Sequence, residues 1–332
     1  ENLGRWSVVA VKPLWTATAR GNHLIREWRD GRSNKEIGNP FDVLRNWLAP
    51  YTSEPIPGLP PLGQLFGMWG YEMIEWIEEK VPVHKRVEDD LPDGIWMFMD
   101  STLIFDQVKR VVTAVVYGDL SLHNSPEDAF ESSLGRIKEL EGMMKQSLQG
   151  LKPIQWKDNL KSCVPTNNNF TKLDYESAVN IAKNYISSGD IFQLVLSQRF
   201  SARVFHEPFE LYRSLRMINP SPYMAFFDFG DWQLIGSSPE VMVKAKPSAE
   251  GIIASLRPIA GTRPRGINSK EDLKFEKELI NDPKEIAEHV MLVDLGRNDL
   301  GRVCLTGSIA VKELMVIEKY SHVMHIVSEV EG

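Results

Sequence analysis

The chain has 332 residues, 42% of them apolar and 25% charged, with 23 glycines and 20 prolines, a globular composition that excludes collagen, coiled-coil arrays and wholesale disorder. A net charge of -7 without any long run of Lys and Arg argues against nucleic acid as a partner. The two cysteines, Cys163 and Cys304, stand far apart and outside any Cys/His cluster, and no apolar run reaches the roughly 20 residues of a membrane span, so a soluble protein of a reducing compartment, the cytoplasm, is expected.

The first residues read as a strand already under way, and residues 53–67, rich in Pro and Gly, as a connector. Residues 71–80 have helical spacing with an acidic face; residues 95–98 and 108–117 read as strands. Ser125-Pro126-Glu127-Asp128 opens a helix expected to run to about residue 148, because serine caps, proline suits the first helical position and acids favour the positive end of the dipole. The polar stretch 150–169 is the best boundary available, placed near residue 165. It divides the chain into an N-terminal region, 1–160, and a second domain, 165–332.

Beyond the boundary, Thr171 and Asp174 form a capping-box pattern, and Gly189-Asp190 stops the helix they open. Residues 192–200 read as a strand, Pro208 opens a helix to residue 218, and short strands are predicted at 224–229, 232–235 and 241–245. Asp282-Pro283 opens another helix, to about residue 295, and residues 303–312 return to strand. Strands grouped with strands and helices between the groups predict an α+β fold of layered antiparallel sheets with flanking helices.

An acidic protein that binds an anion must supply a local device such as a metal, a helix N-terminus or placed arginines. Glu285 and Glu288, three apart on the Asp282 helix, share one face. Two hard oxygen donors suit Mg²⁺, which takes one or two protein carboxylates and keeps several waters; the same positions also suit a capping acid and a solvated one. Gly261-Thr262, beside Arg263 and Arg265, can offer N–H groups and a hydroxyl to a carboxylate, or be a plain turn. Glu240 at a strand end is a surface acid or a general acid. His325 alternates with apolar neighbours and reads as a core histidine or a catalyst, and Gln193, if inward, needs a buried partner.

In order along the chain, residues 189–200, Asn219 to Met224, Gly236 to Glu240, 257–266, 282–299 and 320–332 resemble the chorismate-utilising enzymes, most closely the anthranilate synthase component I group. The resemblance implies the chorismate-binding enzyme fold and an Mg²⁺-dependent lyase that turns chorismate and ammonia into anthranilate and pyruvate. On that resemblance Glu288, with Glu285, holds Mg²⁺. Gly261 and Thr262 bind the ring carboxylate, Glu240 protonates the departing C4 hydroxyl, and His325 assists proton transfer. Relatives that add water at C2 place a lysine where Gln193 stands, and aminodeoxychorismate synthases commonly place one where Ala260 stands, so both residues favour anthranilate formation, with aminodeoxychorismate synthase as the alternative. The resemblance further implies a glutamine amidotransferase partner that delivers ammonia, an oligomer, and tryptophan as a feedback inhibitor beside Pro222, Tyr223 and Met224. The group continues beyond the His325 motif, which predicts that the polypeptide is an incomplete fold at its C-terminus, with little or no turnover, or a non-catalytic fragment that binds a partner.

Overall fold

The computed structural model describes residues 4–60, 63–78, 80–82, 91–146, 167–249, 251–320 and 322–332. In chain order it runs through β1 (Trp6–Val9), β2 (Trp15–Arg20), β3 (His23–Trp28), β4 (Ser33–Ile37), α1 (Pro40–Leu48), β5 (Leu65–Trp69), a 3-10 helix (Tyr71–Trp76), β6 (Gly94–Phe98), β7 (Ser101–Asp106), β8 (Val111–Val116) and α2 (Pro126–Lys145). It continues with β9 (Asn167–Asn168), α3 (Lys172–Ser188), β10 (Phe200–Ser201), α4 (Pro208–Ile218), β11 (Tyr223–Asp228) and β12 (Gln233–Ser238). The last part holds β13 (Lys244–Ser248), β14 (Gly251–Leu256), β15 (Ile259–Pro264), α5 (Ser269–Ile280), α6 (Pro283–Gly301), β16 (Ala310–Lys319) and β17 (Val323–Glu331). The predicted α+β class with antiparallel sheets is observed.

By contacts the chain divides into two compact units, residues 1–149 together with 238–332, and residues 150–237. The predicted boundary near residue 165 lies outside the described residues.

In the first unit a five-stranded sheet of order β4-β3-β2-β6-β5 packs one face against α1. Alternation puts Trp15, Ala17 and Ala19 of β2 at zero exposure, where they meet Val43, Leu44 and Trp47 of the helix. Asn39 fixes the start of α1 by accepting the Phe41 N–H at 2.9 Å. β7 separates β1 from β8 in a three-stranded sheet.

A further five-stranded sheet of this unit is organised by β17. One edge of β17 pairs with β14 and then β15, and the other with β16. Met324, Ile326, Ser328 and Val330, all at zero exposure, alternate along β17 and face the helices. Leu279 of α5 packs on Met324 and Ile326, and Val293 and Leu300 of α6 on Val330. At about 25 cal/mol per Å² of buried apolar surface, each such side chain contributes about 1.5–3 kcal/mol.

Three segments depart from the sequence reading. Residues 192–199 do not form a strand; only Phe200–Ser201 pairs, with Asn167–Asn168, because an apolar run with strand propensity becomes a strand only where a partner edge exists. Residues 303–309 are turn and coil, and the strand starts at Ala310. Residues 71–76 wind as a tighter 3-10 helix.

Candidate active site

β15 gathers most of the chemistry. Its register against β17 slips between Ala260 and Thr262, so that Ala260 faces Ile326, Thr262 faces His325, and Gly261 is the extra residue of a bulge. Gly261 has φ of +81°, and a Cβ there would lie 3.0 Å from Ile326 Cδ1 and 3.2 Å from Leu279 Cδ1. Only glycine takes this position without a backbone cost of about 1–2 kcal/mol.

The bulge sets the histidine. His325 Nδ1 lies 3.0 Å from Thr262 Oγ1 and 3.3 Å from the Gly261 carbonyl oxygen. A carbonyl only accepts, so that contact calls for a proton on Nδ1, whereas the Thr262 hydroxyl can donate to or accept from the same atom; Nε2 makes no hydrogen bond with any described residue. The Tyr320 ring meets the imidazole edge-on, with centroids 5.6 Å apart, and its hydroxyl donates to Glu318 Oε2 at 2.8 Å. Glu318 is held in turn by both terminal nitrogens of Arg257.

At the start of β15, Glu240 accepts the Ile259 N–H on Oε1 at 3.2 Å, while its own N–H donates to Ser238 Oγ at 3.3 Å. The Glu240 side chain is exposed and Oε2 has no partner among the described residues, as a group that gives a proton to a ligand requires.

Asp282 caps α6, accepting the N–H groups of Lys284 at 3.0 Å and Glu285 at 3.4 Å. Arg263 of β15 donates to Asp282 Oδ2 at 2.7 Å and to Glu285 Oε1 at 3.2 Å, which ties the helix start to the strand just past the bulge. The Glu285 amide, followed by the Lys284 amide and the Arg263 guanidinium, holds the Asp282 carboxyl below its ordinary range. Glu288, one turn further, is half-buried and makes no hydrogen bond or ion pair with any described residue. Next to it His289 is fully buried with Nε2 2.6 Å from Ser328 Oγ, and burial pushes its pKa down, so the ring is neutral.

Gly261, Thr262 and His325 are thus in direct contact. Glu285 joins β15 through Arg263, and Glu240 joins it through Ile259. Gln193, Pro222, Tyr223 and Met224 belong to the unit 150–237. Gln193 is exposed there in an unpaired segment, so the inward orientation considered from the sequence is not adopted and its amide needs no buried partner. Tyr223 and Met224 begin β11. The contacts of Arg263, Glu318 and Tyr320 carried no local signal, because the carboxylates that meet the two arginines lie 19 to 61 residues away in sequence.

The profile of the chorismate binding enzymes matches residues 9–332. This chain belongs to the chorismate-binding enzyme family. It is similar to anthranilate synthase component 1 of Synechocystis sp., with 49% identity over 350 positions that take in all of this chain and 67% of that protein. The corresponding protein of Pseudomonas aeruginosa is 40% identical, again over the whole chain and 66% of its own length. The solved structure of anthranilate synthase component I from Streptococcus pneumoniae superposes with a TM-score of 0.77 at 33% identity, covering all of this chain and 70% of that one. The chain spans about two thirds of the length of these curated relatives. The chorismate-binding fold drawn from the sequence resemblance is therefore the fold of this chain, and the β15 bulge and the α6 acids lie within the matched span.

Proposed function

We propose that this chain is the chorismate-converting component of an anthranilate synthase, which turns chorismate and ammonia into anthranilate, pyruvate and water. The observation that carries the reading is the Gly261 bulge, which puts the Thr262 hydroxyl of β15 beside the His325 imidazole of β17 on adjacent strands. The names of the similar proteins support the same reaction.

In this reading the Gly261 backbone and the Thr262 hydroxyl hold the ring carboxylate of chorismate. Hydroxide leaves poorly without an acid, so Glu240 gives its proton to the C4 oxygen as ammonia adds at C2. The Nε2 atom of His325 then moves a proton in the hydroxyl loss or in the elimination of pyruvate. Mg²⁺ suits the acid helix. Among the described residues Glu288 offers an unengaged carboxylate and Glu285 one whose second oxygen has no partner, two hard donors of the kind Mg²⁺ accepts while waters and an anionic ligand fill its other positions. Bound there, the ion would offset the charge of a dianionic substrate in a protein of net charge -7.

Ammonia needs no deprotonation to act as a nucleophile, which agrees with a neutral Gln193 where water-adding relatives place a lysine. Ala260, buried at 8% exposure, offers no amine for covalent attack, which counts against the aminodeoxychorismate alternative. Ammonia is mostly ammonium at neutral pH, so a glutamine amidotransferase partner supplies it in the cytoplasm, and tryptophan acts as an inhibitor through Pro222, Tyr223 and Met224. Among the described residues no helix is long and apolar enough to cross a membrane. The complete chain supplied with chorismate, ammonium and Mg²⁺ is expected to release anthranilate and pyruvate in equal amounts. Isochorismate, or an aminated chorismate formed without pyruvate, would contradict the assignment.

A further inference from the structure

Four polar atoms meet under the sheet where the chemistry described above has no use for them. His289 of α6 has zero exposure, and so does Ser328 of β17; the Nε2 to Oγ distance between them is 2.6 Å. Ser328 Oγ also accepts the N–H of Met315 at 2.9 Å, in β16, where Met315 holds a φ of +55° within a slip of the strand register between Glu313 and Val316. The remaining ring nitrogen, Nδ1, is buried and closes no hydrogen bond with any described residue. The imidazole therefore meets β17 directly, three residues after His325, and through Ser328 the strained residue of β16; β17 pairs in turn with β15, where the Gly261 bulge lies.

Burial without exchange of partners makes this costly to build and costly to break. A buried polar group left unsatisfied loses its hydration with nothing in exchange. A leucine at position 289 would fill similar space with no such cost, so sterics alone do not call for a histidine. What the ring supplies is direction, because a hydrogen bond of this length fixes the rotation of α6 about its axis. Glu288 is the adjacent residue, and a rotation of the helix carries its carboxylate with it.

We propose that His289, through Ser328, is a positioning residue that clamps the acid helix α6 against the strands carrying the Gly261 bulge and His325, and so fixes where the Glu288 carboxylate is presented. The inference rests on the reading of Glu288 as a metal ligand given above. Groups that orient metal ligands typically contribute about 10- to 100-fold in metal affinity or activity. The clamp acts at one remove, through the backbone of α6, and falls at the lower end of that range.

The test is Mn²⁺ titration of the complete chain, read by electron paramagnetic resonance of the free ion. His289→Leu and Ser328→Ala are each expected to weaken Mn²⁺ binding about tenfold. The double variant is expected to be no worse than either, since both remove the same bond. His289→Gln, whose amide can still donate to Ser328, is expected to restore most of the affinity. If His289→Leu does not fold, Ser328→Ala, which removes a single hydroxyl, carries the test. Folded variants that bind Mn²⁺ as the parent does, or a double variant whose loss is the sum of the two, would overturn the clamp. A parent protein that binds no Mn²⁺ would instead sink the metal reading. The clamp would then be upheld by faster amide exchange along α6 in Ser328→Ala and overturned by unchanged exchange.

Discussion

Glu240 shows most plainly how a single side chain separates chemistry from stability. Its carboxylate is exposed and receives one backbone N–H, so replacing it removes almost nothing from the packed structure. Glu240→Gln keeps that hydrogen bond and removes the acid; kcat is expected to fall about 10²- to 10⁴-fold, the usual worth of a positioned proton donor, with the thermal midpoint unchanged. Steady-state kinetics beside a melting curve would check both halves. Much of this was legible at the level of residues. His325, read from its apolar neighbours as a core histidine or a catalyst, is half-buried on the strand face opposite the fully buried Met324 and Ile326. The bulge at Gly261 was not legible, because a register slip is a property of two strands, and β17 lies more than sixty residues further on.

Elements were legible where their ends are written locally. Ser125, Thr171 and Asp282 all cap the helices they were expected to open, accepting the N–H groups of Asp128, Asp174 and Lys284. Strands were harder, since a strand is made by its neighbours: 192–199 had the composition without the partner, while β15 and β17 owe their place to pairing across the chain. The turn from β15 into α5 is held by Arg265, which donates to both oxygens of Asp272, while Asp272 also accepts the Gly266 N–H at 2.6 Å. The Arg265 guanidinium, and then the Gly266 amide, lower the Asp272 pKa to about 2. A depressed carboxyl stabilises the fold fully above the unfolded value of about 4, and this contribution is lost as pH falls through the folded value. Asp272→Asn is therefore expected to flatten the loss of stability between about pH 4 and pH 2, measured as the urea midpoint against pH; parallel curves for the two proteins would refute the lock.

At the scale of the molecule the two units are built differently. The unit of 1–149 with 238–332 holds every one of the buried apolar residues found among the described positions, many of them in clusters around Trp15, Leu279 and Val293. In the unit 150–237 no described residue is buried, and on α3 Ile181 and Tyr185 are each more than half exposed. The spacing of Ile181 and Tyr185, four apart, marks one face of α3 without saying what it faces, because amphipathicity reports an apolar face and not its partner. The candidate acids, the bulge and the histidine all belong to the well-packed unit, where supporting side chains are locked by neighbours. The most direct measurement of the account is a crystal structure of the complete chain with Mg²⁺ and a non-reactive chorismate analogue. The account predicts the ring carboxylate within hydrogen-bond distance of the Gly261 backbone and Thr262 Oγ1, with Glu288 on the metal and His325 Nε2 facing the ligand. A ligand bound away from β15, with Glu288 in water, would contradict it.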